Sequence, residues 1–183
     1  MRITEFVNIT IMIVIATAKT SDLKSILEII DDARLLIKNH GFKQWSLESN
    51  YPSYADFLKD INNNALYVAK DNDKIIGVMA LYFGPDENYA KIDGKWLSNN
   101  ELYSTIHRLA IKKEYYHQGV AKALINYAIS LSKEKCSYIR IDTHKDNIMM
   151  NSLALKMGFS YCGIIDIIRD NVDSLRNAYE RMI

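Results

Sequence analysis

The chain has 183 residues, with 23 Lys and Arg against 22 Asp and Glu and a formal net charge of +1. This near balance, with both signs mixed along the chain, gives no electrostatic footprint for nucleic acid, so no nucleic-acid partner is expected. A hydrophobic content of 49% can supply an ordinary core at this length, which predicts one domain over residues 1–183.

The first apolar run, residues 11–16, predicts a strand. It is much shorter than the ~20 residues that cross a bilayer, and no long basic leader precedes it, so neither a membrane partner nor secretion is expected. Met12 is a possible start, which would leave residues 1–11 as an N-terminal extension. Cys136 and Cys162 lack metal-ligand spacing, and we expect free thiols in a cytoplasmic protein without a metal.

Two helices are predicted next. Apolar residues recur at helical spacing between Ser21, a plausible cap, and His40. A second helix is predicted from Ser53, because Asp56 three residues later forms a capping-box pattern, and residues 62–64, three asparagines, end it.

Alternating strands and helices follow. Residues 66–69 and 75–80 flank a turn and predict a hairpin. The loop over 84–101 is long enough to be functional. The remaining predictions are strands at 103–111 and 138–143, helices at 119–133 and 147–157, and final strands at 161–168 and 175–181. This order predicts an α/β sandwich with a mixed sheet.

The strongest chemical signal lies where the strand ending at Ile111 breaks into a turn and a helix begins at Gly119. A helix start leaves backbone N–H groups unpaired and carries the positive end of the helix dipole. Small residues at Gly119 and Ala121 permit close approach of a ligand. The turn therefore suits a pyrophosphate.

These residues resemble the acetyl-coenzyme-A signature of the GNAT superfamily of N-acetyltransferases, which reads Arg or Gln, two variable residues, Gly, one variable residue, then Gly or Ala. Residues 116–121 fit at the two small positions, but Tyr116 replaces Arg or Gln. A second family pattern follows in the expected order, and it matches at Asn147, Leu153, Lys156, Gly158 and Phe159.

The position that carries Tyr in this second pattern is Ala154, so the phenol that often protonates the leaving thiolate is absent. A thiol has a pKa of ~8.5, so the thiolate is a tolerable leaving group without that acid. The resemblance covers nearly the whole chain from about Met12 onward.

The resemblance implies a mainly antiparallel sheet of about seven strands with helices on both faces, and direct transfer of the acetyl group of acetyl-CoA to a primary amine in a ternary complex. It implies a homodimer as one possibility. It also implies that the backbone of one strand pairs with the pantetheine arm and polarises the thioester, that the turn wraps the pyrophosphate, and that an Asn touches the arm. The cofactor-binding residues are then Leu109, Ala110, Ile111, Tyr116, His117, Gln118, Gly119, Val120, Ala121, Lys122 and Asn147.

Two candidates for the catalytic base come from strand geometry. Alternation places residues 105, 107, 109 and 111 on one face. His107 therefore shares a face with Thr105, the position that carries a catalytic carboxylate in some members of the family. An imidazole titrates near pH ~6.5 and can take the amine proton, although His107 is equally interpretable as a hydrogen-bonded strand residue. Asp142 and His144 form the second candidate pair, or else a cap and a surface histidine, with Arg140 available for an ion pair.

Three aromatic residues are candidates for the acceptor pocket. In the family, the segments that carry Trp45, Tyr51 and Trp96 border the acceptor side, and aromatic rings attract ammonium groups. Plain core packing is the alternative for each. The near-neutral charge and these rings favour a small-molecule amine over a protein.

Two other functions compete with an enzyme that transfers directly. The departures at Tyr116 and Ala154 also fit a non-catalytic acyl-CoA-binding sensor or interaction domain. Cys136 would allow a ping-pong route, although its place at the entry of a strand favours a buried thiol. A dinucleotide-binding oxidoreductase is disfavoured, because no spaced glycines follow an early strand.

Overall fold

A computed structural model describes residues 11–41, 43–45, 51–99, 102–167 and 173–183. Residues 1–10, which make up nearly all of the proposed N-terminal extension, lie outside this part of the chain. Within it the strands are β1 (Ile13–Thr17), β2 (Leu66–Asp71), β3 (Lys74–Phe83), β4 (Asp93–Gly94), β5 (Tyr103–Ile111), β6 (Tyr138–Thr143), β7 (Ser160–Asp166) and β8 (Leu175–Met182). The α-helices are α1 (Leu23–Asn39), α2 (Tyr54–Asn62), α3 (Val120–Lys133) and α4 (Ile148–Lys156).

The helix starts follow from local hydrogen bonds. The predicted capping box of α2 is confirmed, because Ser53 accepts a bond from the Asp56 N–H and donates its own N–H to the Asp56 carboxylate at 2.8 Å. Ser21 does not cap α1 as predicted. It lies inside a 3-10 turn, Thr20–Asp22, and Asp22 occupies the N-cap position of α1.

The strands form one mixed sheet in the order β1-β2-β3-β5-β6-β8-β7-β4. The predicted hairpin is confirmed as β2 and β3. The described sheet has eight strands, where the resemblance implied about seven, because the long loop contributes the two-residue strand β4 beside β7. Gly94 and Gly163 face each other in this pair with φ of +141° and +142°, and neither has room for a Cβ.

Helices cover both faces of the sheet, as expected. On one face α1 and α2 bury residues such as Ile26, Ile30 and Phe57 against β2 and β3. On the other face α3 and α4 pack residues such as Leu124 and Met157 against the same sheet. Two separate apolar layers therefore hold the central strands in place. No helix in the described ranges is long and apolar enough to cross a membrane.

The central strands β5 and β6 are parallel, and their pairing stops early. Tyr103–Ile106 pair with Tyr138–Ile141, whereas the described strands leave β5 from His107 to Ile111 without a partner on the β6 side. On its other side β5 continues to pair with β3 as far as Ile111. The sheet thus opens into a gap lined by backbone N–H and C=O groups.

Candidate active site

A cavity of about 810 Å³ occupies the gap between β5 and β6. Its walls come from α1, α2, the second half of β5, the turn before α3 and the start of α4. A volume of this size is within the range of small-molecule and cofactor sites. The polar side chains of its lining include Tyr51, Asp86, His107, Arg108, Asp142 and Asn147.

A β-bulge in β5 shapes this cavity. Val78 pairs with Ala110 and Ala80 pairs with His107, so the single residue between them on β3 faces both Arg108 and Leu109. Arg108 adopts a φ of +52°, which is uncommon for a residue with a side chain. The extra residue reverses the alternation of side chains beyond it.

The prediction that residues 105, 107, 109 and 111 share a face is therefore wrong beyond the bulge. His107 pairs with Ala80 of the layer under α1 and α2, whereas Leu109 and Ile111 pack in the layer under α3. Ala110 instead joins the layer under α1. Period-two alternation holds only while the strand is regular.

His107 lies between two carboxylates. Its Nε2 is 3.0 Å from Asp86 Oδ2, and its Nδ1 is 4.0 Å from Asp142 Oδ1. The Tyr89 hydroxyl donates a hydrogen bond to Asp142. The rings of Tyr82 and Tyr89 form T-shaped pairs with the imidazole, with centroids 5.6 and 5.9 Å away. The imidazole is therefore oriented from several sides.

The pKa shifts of Asp86 and Tyr89 determine which groups around His107 are charged. Burial alone would raise the pKa of Asp86, but the hydrogen bond and charge of His107, with bonds from Asn88, hold the pKa below its usual value. Burial, reinforced by Asp142, raises the pKa of Tyr89 well above its usual value. Asp86 is therefore a carboxylate and Tyr89 a phenol at neutral pH. As Asp86 can only accept, Nε2 carries the proton and Nδ1 is the basic nitrogen of the neutral ring.

Asp142 and His144 do not form the predicted pair. β6 ends at Thr143, so His144 leaves the alternation, and it is 2% exposed and absent from the cavity lining. Its Nε2 lies 2.7 Å from Asp173 Oδ2. Arg140 does not bind Asp142 either, because its Nε contacts Glu180 at 2.8 Å. The structure instead brings Asp142 to His107.

A second ionic cluster follows His107 directly in the chain. Arg108 Nη1 donates to Asp60 Oδ2 at 2.7 Å and to the Tyr82 hydroxyl at 3.1 Å, and the Tyr82 hydroxyl also bonds Asp60. The Tyr51 ring lies against the guanidinium, 5.3 Å from centroid to Cζ. Burial raises the pKa of Tyr82 to about 12 despite the opposing charge of Arg108. Both phenols stay neutral around this cation, since burial also raises the pKa of Tyr51.

Most of the predicted cofactor-binding residues line the cavity. Gly119 is the N-cap of α3 with φ +84°, and a Cβ there would meet nothing within 4 Å, so the helix start is open. Gln118 is the exception, because its amide donates to the Glu114 carbonyl at 2.7 Å outside the lining. The residues that line it are Leu109, Ala110, Ile111, Tyr116, His117, Gly119, Val120, Ala121, Lys122 and Asn147.

Asn147 caps a helix, as one of its two predicted roles requires, and it also lies at the cavity. Its Oδ1 accepts a hydrogen bond from the Met150 N–H at 3.1 Å and caps α4, and the residue also lines the cavity. Ala154 is 1% exposed and belongs to the apolar core, so α4 brings no hydroxyl from that position.

The three aromatic residues predicted for the acceptor pocket do not all lie at the cavity. Trp45 and Tyr51 line the cavity, whereas Trp96 does not. Trp96 stacks on Tyr89 at 5.6 Å between centroids and lies 3.9 Å from the Arg140 guanidinium carbon. Its indole therefore supports the loop that carries Asp86 and Tyr89 and lies outside the cavity lining.

Sequence reasoning missed Asp86, Tyr89, Asp60 and Arg108. The first two lie in the long loop that the sequence marked as functional, but no spacing rule places loop residues against a strand. Arg108 follows His107, and regular alternation would have placed its side chain on the other face of the sheet.

In the described ranges no group of three or more His, Cys, Asp or Glu side chains is arranged to hold a metal ion.

Comparison with protein families gives one match over most of the chain. A family model described as the acetyltransferase (GNAT) family matches residues 25–159. A curated protein of Bacillus subtilis (strain 168), described as the uncharacterized N-acetyltransferase YesJ, is 23% identical over 128 residues, which are 69% of this chain and 70% of that protein.

Solved structures agree with this match. A GNAT-family acetyltransferase from Streptococcus agalactiae 2603 superposes with a TM-score of 0.85 at 31% identity, covering 93% of this chain and 95% of the other. A structure described as an acetyltransferase from Staphylococcus aureus MU50 gives 0.69 at 32% identity, with 92% and 97% covered. The PaiA N-acetyltransferase of Thermoplasma acidophilum, solved in complex with coenzyme A, gives 0.70 at 20% identity, with 94% and 99% covered, and shows the shared fold.

Proposed function

This chain belongs to the GNAT family of acetyltransferases, and from that premise we propose that it moves the acetyl group of acetyl-CoA to a primary amine by direct transfer in a ternary complex. The observation that carries the proposal is the position of His107, which is held by two carboxylates at the gap in the sheet. A family fold with an oriented base beside its ligand cavity is the arrangement of an enzyme.

The cavity fits acetyl-CoA in two respects. The unpaired edge of β5 from His107 to Ile111 offers N–H and C=O groups to an extended, amide-containing arm such as pantetheine. The open helix start at Gly119, with Lys122 also in the lining, suits the pyrophosphate. The PaiA N-acetyltransferase, which shares the fold, was solved in complex with coenzyme A.

The base step follows from the hydrogen bonds of His107. Asp86 fixes the proton on Nε2, so Nδ1 is free to take a proton from the incoming ammonium group and release a nucleophilic amine. Asp142, 4.0 Å from Nδ1, attracts the ammonium to the same place, and Tyr89 holds this carboxylate in position. The positive charge that forms on the imidazole is stabilised by both carboxylates.

The neutral amine nitrogen then forms a bond to the acetyl carbon, and the carbon–sulfur bond breaks to release CoA thiolate. The second proton that the nitrogen must lose to become an amide passes to water or to the departing sulfur, because His107 already holds the first. A backbone N–H of β5 near the bulge is the proposed donor to the carbonyl oxygen, as such donors stabilise the developing oxyanion. No phenol assists from Ala154, so the thiolate leaves without that acid. Cys136 and Cys162 both lie outside the cavity lining, which favours direct transfer over an acyl-cysteine intermediate.

The competing interpretation is a sensor that binds acyl-CoA without turnover. Calorimetric titration with acetyl-CoA, together with thiol release against a panel of small primary amines, separates the two functions. We expect micromolar to sub-millimolar binding and amine-dependent thiol release. Binding without release for every amine would favour the sensor, and absence of binding would overturn both.

A further inference from the structure

Arg108 is adjacent to the proposed base but has a different environment. Its side chain is 8% exposed and lines the cavity, and its guanidinium and the His107 imidazole both contact the ring of Tyr82. The bulge is the reason, because the left-handed φ of Arg108 brings two successive side chains to the same side of β5. A group bound by Arg108 would therefore lie close to an amine at His107.

The guanidinium has donors that the protein does not use. Both acceptors, Asp60 and the Tyr82 hydroxyl, bind Nη1. Nε is buried and has no hydrogen-bond acceptor among the described residues. A buried donor without an acceptor is costly, and a guanidinium presents five N–H groups in a fixed plane. Nε itself is closed to a ligand, but Nη2 has no acceptor among the described residues either, so the capacity that Arg108 keeps at the wall of the cavity lies on Nη2.

Charge limits what these donors can bind. Asp60 is fully buried and already neutralises Arg108, while Asp86 and Asp142 are close to the base. A carboxylate on the ligand would add another negative charge to this set. A neutral carbonyl oxygen satisfies the donors without that repulsion.

We infer that Arg108 selects acceptors in which a carbonyl oxygen lies close to the reacting amine, as in amino-acid amides and the N-termini of peptides. This inference rests on the proposed acetyl transfer and adds the chemical class of the acceptor. Asp86 and Asp142 attract the ammonium, and Arg108 binds the oxygen beside it, so the two ends of an α-amino carbonyl unit match the two sides of the site.

The decisive measurement uses the wild-type chain and a matched pair of acceptors. Glycinamide carries the carbonyl, and propargylamine is a small primary amine of similar basicity without an oxygen. We expect kcat/KM, measured by thiol release from acetyl-CoA, to be at least roughly tenfold higher for glycinamide, because a lost hydrogen bond to a charged group costs that much. Equal values for both amines would overturn the inference and leave the proposed function intact.

Variants test whether Arg108 is the cause. Arg108→Lys keeps the positive charge opposite Asp60 but loses the planar donors, and we expect the preference to fall to about twofold or less. Arg181→Lys is the control, since Arg181 bonds the Met157 carbonyl away from the cavity, and it should keep the full preference. An undiminished preference in Arg108→Lys would contradict the assignment, and the wild-type pair decides even if that variant does not fold.

Two further arms identify the source of the carbonyl. A tripeptide amide that outperforms glycinamide would assign a peptide N-terminus, and the reverse order would assign a small aminoacyl amide. Glycine, which has a carboxylate in place of the amide, should be the poorest of the carbonyl-bearing acceptors; if it were the best, the charge argument would be wrong. Failure of every amine would reject the proposed function and this inference together.

Discussion

Two ionic clusters in this protein, one around His107 and one around Glu180, differ in how far their charged side chains are exposed. Around His107, the side chains of His107, Asp86 and Asp142 keep 16%, 20% and 10% of their surface exposed, and the basic Nδ1 has only a carboxylate 4.0 Å away. Around Glu180, the Arg140 and Glu180 side chains are 4% and 0% exposed. The His107 cluster therefore stays open to the cavity, whereas Arg140 and Glu180 lie outside its lining.

The Glu180 cluster uses its hydrogen-bonding capacity internally. Glu180 accepts bonds from Arg140 at 2.8 Å and from the N–H and hydroxyl of Ser98 at 3.0 Å. The Arg140 guanidinium lies 3.9 and 3.7 Å from the ring centroids of Trp96 and Tyr103. This cluster fastens the long loop to the sheet, and the loop then carries Asp86 and Tyr89 to His107. In this protein, buried charged side chains whose hydrogen bonds are all made internally stabilise the fold. Charged side chains that are partly exposed and have unused donors or acceptors can bind a ligand.

The largest effect should come from the open cluster. His107→Ala removes the proposed base, and we expect kcat to fall about 10²- to 10⁴-fold, while calorimetry shows acetyl-CoA affinity within about twofold of wild type. His40→Ala is the control, because His40 is an exposed residue at the end of α1 whose ring bonds the Leu36 carbonyl. A His107→Ala enzyme with more than a third of wild-type kcat would remove His107 from the mechanism.

The closed cluster should affect stability instead. Arg140→Met leaves Glu180 as a buried charge without its cation, and we expect about 3–5 kcal/mol less free energy of unfolding in urea. Arg140→Met combined with Glu180→Leu removes both charges and should recover most of that loss. A single variant as stable as wild type would show that the pair is not the structural anchor that its burial indicates.

Asp86 connects the two clusters, because it contacts His107 and lies in the loop that the Glu180 cluster fastens to the sheet. Asp86→Asn keeps a hydrogen-bond acceptor for His107 but loses the charge that fixes the tautomer, and kcat/KM should fall about 10- to 100-fold. Asp93→Asn is the control, because Asp93 is an exposed carboxylate of the same loop and lies outside the cavity lining. Because the pKa of Asp86 lies below its usual 3.8 in the folded protein, its contribution to stability is present above that pH and is lost as the pH falls through the folded value. The variant should therefore show a flatter acid limb of unfolding free energy than wild type.

The sequence predicted the regular parts of this fold well, since periodicity and capping report local geometry. The capping box at Ser53 and the hairpin β2–β3 are confirmed, and the GNAT resemblance identified the family. A periodic pattern of apolar residues cannot predict where a strand becomes irregular. The bulge at Arg108 is one extra residue in a strand, and nothing in the local sequence marks it.

The candidate site was harder to predict for a related reason. His107 and Asp142 were named from their strands, but their contact depends on how β5 and β6 diverge after Ile106 and Ile141. His144 was misplaced because β6 ends one residue before it. Asp86 reaches His107 through long-range contacts of its loop, among them the bond from its N–H to the Tyr103 hydroxyl and the bonds from Ser98 to Glu180.

The smallest effect should come from Tyr82, which bonds both Asp60 and Arg108 in the ionic cluster that follows His107 in the chain. Its pKa is raised to about 12 by burial, so the folded protein keeps this proton between pH 10 and 12 while the unfolded chain loses it. Stability from this group is thus complete below pH 10 and is lost as the pH rises to 12. Two pKa units would be about 2.7 kcal/mol in full burial, and partial exposure reduces this to about 1 kcal/mol.

Urea unfolding of wild type and Tyr82→Phe at pH 9, 10 and 11 measures this difference. We expect wild type to lose unfolding free energy faster than the variant above pH 10, because the variant has no phenol to hold protonated. Tyr54→Phe, an exposed tyrosine at the start of α2, should follow the wild-type curve. Parallel curves for wild type and Tyr82→Phe would mean that Tyr82 ionises freely and that water reaches the Arg108 cluster. In that case the unused donors of Arg108 would already bind solvent, and its selectivity for a carbonyl would shrink toward the difference between a ligand oxygen and a water.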